Sequence, residues 1–199
     1  MNIKINGFLA LVYLTFALTA CTTLPPSPKQ PAPSWEKREV ALQHIQKWQL
    51  KSKIAVKTKN DAGSAILHWN QRNDRYNITL LNPIGSPILK LTGQNGQVLL
   101  ELSDGKHYQS NNPEKLLEDT WGMRLPVSSL LYWVRGLPAP GPYDGVFDPS
   151  HRLSSLTQQN VQVEFLNYMR AGNIDLPQML KITSPSMQIK MRIYEWSFN

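Results

Sequence analysis

Between positions 48 and 108 the sequence repeats one pattern, in which short stretches of alternating apolar and polar residues are separated by turns. A period of two places every second side chain on the same face, so each stretch predicts a strand with one buried face. Parallel neighbours would need long crossovers, whereas the Asn-Gly pair at 95–96 and the Asp-Gly pair at 104–105 are typical hairpin turns. This region therefore predicts an antiparallel meander of about six strands.

Helix signals precede and follow the meander. Ser34 can cap a helix over 34–46, and an Asn-Pro-Glu start followed by a glycine predicts a second helix over 113–122. A third helix is predicted over 126–136, between a proline and a glycine. Strand patterns resume near 151–156, 161–165, 180–183 and 187–196, which gives roughly ten strands and three helices in total. The predicted fold class is mainly β with α: one large, curved antiparallel sheet with helices on one face.

The first twenty residues carry one charge, Lys4, and an apolar run over 8–18 that leads into Leu-Thr-Ala-Cys. This arrangement is typical of a cleaved secretory signal and is too short for a comfortable transmembrane helix. Its last four residues also fit the lipobox of bacterial lipoproteins, in which the cysteine is lipidated. Cys21 is the only cysteine, so it predicts a lipid anchor and excludes a disulfide framework. The alternative is an ordinary secretory signal with an incidental cysteine.

Residues 21–33 contain five prolines, a composition that favours extended structure over a packed core. A tether is the predicted role, and a motif for a proline-binding partner is the alternative. Thr22 resembles the residue after the cysteine in lipoproteins that are sorted to the outer membrane. The predicted organisation is a lipoprotein signal over 1–20, a lipidated cysteine and tether over 21–33, and one folded domain over 34–199.

Charge and motifs narrow the classes of function. The net charge of +7 is spread along the chain and is compatible with anionic lipid headgroups or an acidic protein partner, whereas export disfavours nucleic acid. The four histidines lie far apart, and no metal-binding, phosphate-binding or nucleophile motif occurs. The sequence therefore predicts no metal, no cofactor and no enzyme. A lipid-modifying enzyme is the rival class, and it would need a reactive cluster that the sequence does not show.

Two apolar features remain. Trp48, Trp69, Trp133 and Trp196 fall on predicted inward faces, and a curved sheet lined by such groups could enclose an apolar cavity or a filled core. The loop over 82–87 contains one glycine and two prolines, and Ile84 is its only large apolar side chain. Ile84 either packs back into the core or is exposed at the tip, and exposed apolar tips require a reason.

Two segments resemble one family, the outer-membrane lipoproteins LolB, which receive other lipoproteins from the periplasmic carrier LolA. The first, RYNITLLNPIGS over 75–86, is similar to the family's strand and protruding loop. The second, over 122–138, is similar to its helix ending in W-x-x-G-L-P. The resemblance extends from 21 to 196. The chain departs from the family at Ile84, where leucine is common, and at Ser52-Lys53, where Gly-Arg is common.

The resemblance implies an incomplete antiparallel barrel of about eleven strands, covered by about three helices around a hydrophobic cavity. It implies a monomer, anchored at Cys21 in the outer membrane and facing the periplasm, that accepts acylated client lipoproteins from LolA and delivers them into phospholipid. Pro83, Ile84 and Gly85 are then expected to form a membrane-insertion loop. The residues expected to line the acyl-chain cavity are Ile54, Val56, Leu67, Trp69, Tyr76, Ile78, Leu80, Leu89, Leu91, Leu130, Trp133 and Trp196. A passive structural envelope lipoprotein, which needs no cavity, is the alternative.

Overall fold

A computed structural model describes residues 33–198; the predicted signal, Cys21 and nearly all of the predicted tether lie outside them. Within this range the chain forms eleven strands and three helices. The helices are α1 (Trp35–Gln43), α2 (Pro113–Trp121) and α3 (Val127–Trp133). The strands are β1 (Lys47–Thr58), β2 (Ala62–Arg72), β3 (Arg75–Leu81), β4 (Pro87–Gln94), β5 (Gln97–Leu102), β6 (His107–Ser110), β7 (Asp144–Phe147), β8 (Leu153–Gln158), β9 (Val161–Ala171), β10 (Ile174–Thr183) and β11 (Met187–Phe198).

All eleven strands belong to one antiparallel sheet in the order β6-β5-β4-β3-β2-β1-β11-β10-β9-β8-β7. Two meanders, β1 to β6 and β7 to β11, are joined where β1 pairs with β11. Strands β6 and β7 stand at the two edges. The antiparallel sheet with three helices confirms the predicted fold class, an incomplete barrel of eleven strands.

The core lies on the inner face of the sheet. Because side chains alternate along a strand, Trp48 and Leu50 of β1 point inward and are each about 1% exposed. Leu117 of α2 and Leu130 and Trp133 of α3 pack into the same cluster. A second, smaller cluster contains Leu42, Leu137, Ala171 and Leu176, and the two clusters together form the buried core of residues 33–198. No helix in this range is long and apolar enough to cross a membrane.

Several elements differ from the sequence prediction; α3, for example, ends at Trp133 rather than near 136. Helix α1 ends at Gln43 rather than near 46, because β1 already begins at Lys47. Strand β7 was not predicted, since a four-residue edge strand with three exposed positions carries no alternation. Strand β10 begins at Ile174, well before the predicted 180. The prediction missed this first part because Pro177 is unusual within a strand. That proline lies at a register irregularity between β10 and β9, where a missing backbone N–H is tolerated.

Candidate functional site

A cavity of about 880 Å³ lies between α3 and the inner face of the sheet. This volume falls within the range of pockets that hold small-molecule ligands. Helix α3 contributes Val127 and Leu131, which are four residues apart and therefore share one helix face. The sheet contributes Trp69, Tyr76, Val161, Ile182, Met187 and Ile189. The larger part of the lining is therefore apolar.

Polar residues line part of the same cavity. Asp74, Arg124 and Asn160 are exposed members of the lining, so they mark the side that opens to solvent. The carboxylate of Glu114 on α2 accepts a hydrogen bond from the backbone N–H of Ser128 on α3 at 2.8 Å, which joins the two helices beside the cavity. An apolar interior with a polar opening suits an amphiphile, whose polar end stays near water.

A row of aromatic rings runs across the inner face to the cavity. The ring centroids of Trp196 and Trp48 are 5.4 Å apart, those of Trp48 and Trp69 are 5.3 Å apart, and those of Trp69 and Tyr76 are 6.5 Å apart. The indole N–H of Trp69 donates to Oε1 of the buried Gln71 at 2.9 Å. Tilted and edge-on contacts of this kind stabilise aromatic pairs beyond their buried area. Trp69 and Tyr76, at one end of the row, are the two rings that line the cavity.

The hydroxyl group of Tyr76 is buried and has no hydrogen-bond partner among residues 33–198. Burial raises the pKa of Tyr76 to about 12, and the carboxylate of Glu114 adds to the shift. The phenol is therefore neutral at physiological pH. It presents an unused donor at the cavity wall, and an unsatisfied buried polar group of this kind lowers stability.

The predicted cavity residues divide into two groups. Trp69 and Tyr76 line the cavity. The other ten do not line it: Ile54, Val56, Leu67, Ile78, Leu80, Leu89, Leu91, Leu130 and Trp133 are buried in the packed core, and Trp196 is half-buried against it. Alternation identifies the inward face of a strand but does not distinguish its packed part from its open part. Contact of acyl chains with these residues stays a prediction.

Gln158 is a site residue that sequence reasoning missed. It is 2% exposed, and its side-chain amide accepts from the backbone N–H of Ala139 at 3.0 Å and donates to the Ala139 carbonyl at 2.7 Å. Ala139 and Pro140 line the cavity, so Gln158 fixes the segment that follows α3. The residue stands in a run of polar residues before a turn, and nothing in that pattern marks it as buried.

The loop between β3 and β4 presents Ile84 at its tip, where the side chain is 89% exposed. Oδ1 of Asn82 accepts from the backbone N–H groups of Ile84 at 3.1 Å and Ser86 at 2.8 Å. Gly85 has a φ of +91°, a conformation that favours glycine. The exposed position is therefore the correct one of the two alternatives, and the loop is fixed by its own hydrogen bonds.

A cluster of charged groups packs α1 against β9, β10 and the segment before β8. Arg152 pairs with Asp148 at 2.8 Å and with Asp175 at 3.3 Å, and its guanidinium lies 4.6 Å from the ring centroid of Tyr168. The guanidinium of the buried Arg38 donates to the Asp175 carbonyl. Burial raises the pKa of Tyr168. Neither in this cluster nor elsewhere in residues 33–198 are three His, Cys, Asp or Glu side chains grouped as metal ligands would be.

Comparisons with known proteins agree on one family. Residues 46–196 match the family model described as outer membrane lipoprotein LolB. The LolB of Pseudomonas syringae pv. syringae is 38% identical over 163 residues, which cover 81% of this chain and 80% of that protein. The LolB of Pseudomonas aeruginosa is 37% identical over 166 residues, covering 83% and 81%. A LolA superfamily protein from Nitrosomonas europaea shares the fold, with a TM-score of 0.51 at 6% identity over 84% of this chain and 94% of that one.

Proposed function

This chain belongs to the LolB family of outer membrane lipoproteins, and from that membership we propose that it inserts other lipoproteins into the outer membrane. It accepts the acyl chains of a client lipoprotein from the periplasmic carrier LolA and passes them to phospholipid. The chain acts as a monomer, held by a lipid on Cys21 with its folded domain facing the periplasm. No bond of the client is made or broken, so the protein is not an enzyme.

The cavity under α3 is the observation that carries this proposal. Acyl chains cannot cross an aqueous compartment exposed, because their transfer from an apolar enclosure to water costs about 0.8 kcal/mol per methylene. A cavity of about 880 Å³ with a mainly apolar lining gives such chains an enclosure. The exposed polar residues at its opening leave the client's protein part in solvent. A passive structural lipoprotein has no need of such a space.

Transfer requires only a gradient of affinity. The cavity must bind acyl chains more tightly than the carrier does and less tightly than the bilayer does, since a protein can shift an equilibrium only by its differential affinity for the two states. The unpaired hydroxyl of Tyr76 and the polar part of the lining make this cavity less apolar than the interior of a bilayer. That difference favours the release of acyl chains from the cavity into the bilayer.

The loop tip completes the scheme. Ile84 is 89% exposed and its loop is fixed by Asn82, so the side chain can enter a leaflet without a prior conformational change. An isoleucine loses nothing on entering hydrocarbon, whereas a charged side chain meets a penalty of about 2.5–3.5 kcal/mol at the bilayer centre. Contact of this tip with the membrane surface would bring the cavity close to the acceptor lipid.

Carrier-to-liposome delivery tests the proposal. The chain from residue 21 onward with Cys21→Ala is given a carrier loaded with acylated lipoprotein, and cargo is followed first into the chain and then into liposomes. We expect the Ile84→Glu variant to take up cargo at the wild-type level and to deliver it at least tenfold more slowly. Leu166→Glu is the matched control, since Leu166 is 53% exposed on β9 away from the loop.

Each outcome has a separate meaning. Normal delivery by Ile84→Glu would remove the loop from the scheme. A wild-type chain that takes up neither cargo nor a fluorescent fatty acid would contradict transfer and favour the passive structural lipoprotein. Equal loss of delivery in Ile84→Glu and Leu166→Glu would mean that any added surface charge slows delivery, and the loop would then have no special role.

A further inference from the structure

Cations face each other directly across three neighbouring strands on the outer face of the sheet. Lys53 of β1 is paired with Arg192 of β11, and Lys190 of β11 is paired with Lys181 of β10. With Lys57 of β1 they form a group of five that we term the basic strip. Like charges directly opposite one another destabilise a sheet. The Lys53–Arg192 pair therefore disfavours the pairing of β1 with β11, where the two meanders join.

Few carboxylates offset this charge. Lys181 pairs with Glu164 at 2.6 Å, whereas Lys53, Lys57, Lys190 and Arg192 make no ion pair with any residue from 33 to 198. Glu195 lies farther along β11 and pairs with Lys51 at 2.9 Å. Asp61 stands in the turn after β1, where its carboxylate accepts from the backbone N–H of Ala62. Four cations of the strip are thus left for a partner outside the described residues.

The strip lies on the same side of the sheet as the approach to the Ile84 loop. Arg192 is paired with Lys53, Lys53 with Ile66, and Ile66 with Leu81, so the four stand in one row across four strands. Leu81 is the last residue of β3, and the loop follows it. Adjacent strands lie about 4.8 Å apart, so Lys53 stands about 10 Å from the strand that leads into the loop.

Lys57 extends the basic strip toward the end of the sheet from which the Ile84 loop projects. Lys57 lies four residues beyond Lys53 along β1, near the turn into β2, and β2 runs antiparallel beside it. Ile66 and Leu81 share the outer face with Lys53 because directly paired residues point to the same side, and both are half-buried. The outer surface therefore changes from cationic to apolar toward the exposed tip.

We propose that the basic strip binds anionic phospholipid headgroups, so that the domain docks on the leaflet with the strip against the headgroups and Ile84 in the hydrocarbon. The assignment rests on the proposed function and names the lipid class that the protein meets at delivery. Lysine and arginine stems carry their charges away from the sheet surface, and each basic residue near an anionic leaflet strengthens binding roughly fivefold. A membrane fits better than an acidic protein because the cations adjoin an apolar tip that has no other partner in residues 33–198.

Vesicle co-sedimentation without cargo tests the docking. The chain from residue 21 onward with Cys21→Ala is mixed with phosphatidylcholine vesicles that either contain or lack phosphatidylglycerol. We expect binding that requires phosphatidylglycerol, weakens as salt is raised, and falls roughly 25-fold in the Lys53→Gln/Arg192→Gln variant. This variant removes an opposed pair of like charges, so it should unfold at a temperature no lower than wild type.

Lys47→Gln/Arg72→Gln is the matched control, because Lys47 and Arg72 are also directly opposed but stand at the other end of β1 and β2. We expect it to bind vesicles within about twofold of wild type. If both double variants lose vesicle binding equally, net charge alone determines binding, and the proposal is overturned. Binding that is indifferent to phosphatidylglycerol would overturn it as well.

Two further outcomes separate this inference from the proposed function. A strip variant that binds anionic vesicles normally but accepts cargo poorly from the carrier would assign the strip to an acidic protein partner and overturn the membrane assignment. A chain that delivers cargo but shows no preference for anionic vesicles would overturn the strip alone. A chain that docks through the strip but takes up no cargo would overturn the proposed function and leave the docking in place.

Discussion

The ring of Tyr76 lies directly over Gly93, so closely that a Cβ atom added at Gly93 would be 2.1 Å from Cε1 of the ring. The two residues are paired across β3 and β4. Tyr76 also contacts Trp69 edge-on and lines the cavity. The absence of a side chain at position 93 therefore lets this part of the cavity wall lie flat against the sheet.

Gly93→Ala is expected to lower the free energy of unfolding by about 1–3 kcal/mol, because a methyl group there forces the tyrosine ring out of its place. The displaced ring would also narrow the cavity and weaken the binding of a fluorescent fatty acid. Urea denaturation and ligand titration measure the two effects. Gly63→Ala on β2 is the control, since nothing lies within 4 Å of a Cβ at that position. A Gly93→Ala variant as stable as Gly63→Ala would show that the ring moves aside freely.

The hydroxyl of Tyr76 gives a prediction about pH. Burial raises its pKa in the folded state to about 12, above the value of about 10 in an unfolded chain. The unfolded state therefore loses this proton first, and the stability that the neutral phenol contributes below pH 10 is lost as pH rises toward 12. Tyr76→Phe should lose less stability between pH 9 and pH 11.5 than wild type does. At neutral pH the variant should be as stable as wild type or more so, because the hydroxyl has no partner.

Urea denaturation at the two pH values measures this difference. Tyr108→Phe, at an exposed position of β6, is the control, and its stability should follow wild type at both pH values. An equal loss of stability in Tyr76→Phe and wild type would mean that the phenol of Tyr76 ionises freely in the folded chain.

The first meander was predicted from the sequence because its strands have one buried and one solvated face. In β1 the burial of residues 48 to 57 alternates along the strand, as the sequence pattern predicts. The later hairpin turns are marked by the Asn-Gly and Asp-Gly pairs. The second meander was predicted less completely. Strand β7 is an exposed edge without alternation. The first part of β10 contains a proline at a bulge, so its burial alternates regularly only over 180–183.

The candidate site was predicted only in part, for a related reason. The inward direction of Trp69 and Tyr76 follows from the alternation of their strands, but the open space beside them depends on how α3 lies over the sheet. Leu131 and Met187 line the cavity because elements far apart in the chain meet there. Single-sequence patterns describe which face a residue occupies and carry no information on such distant contacts.

Met187→Glu is expected to weaken acyl binding at least tenfold, because a carboxylate in a mainly apolar cavity must either remain hydrated or become protonated. Met187 is half-buried at the start of β11 and lines the cavity. Titration with a fluorescent fatty acid measures the loss. Met179→Glu is the control, since Met179 is half-buried on the outer side of β10 beside Arg192. Equal weakening by both variants would point to general destabilisation, and unchanged binding by Met187→Glu would place the acyl chains elsewhere.

Gln158→Leu is expected to lower the free energy of unfolding by about 2–4 kcal/mol, since it leaves several buried groups without partners. The side chain of Gln158 serves both the N–H and the carbonyl of Ala139 and accepts from the indole N–H of Trp133 at 3.3 Å. Leucine fills a similar volume but replaces none of these bonds.

The same change should also loosen the cavity wall, because Ala139 and Pro140 line the cavity and are held there by Gln158. Hydrogen exchange at the Ala139 amide is the direct measurement, and its protection should fall by more than the global loss of stability accounts for. Gln162→Leu, at an exposed position of β9, should leave both stability and exchange unchanged. If Gln158→Leu lowers the free energy of unfolding but the Ala139 amide still exchanges only through global unfolding, the segment after α3 is fixed by packing alone. The side-chain amide of Gln158 then contributes stability without shaping the cavity.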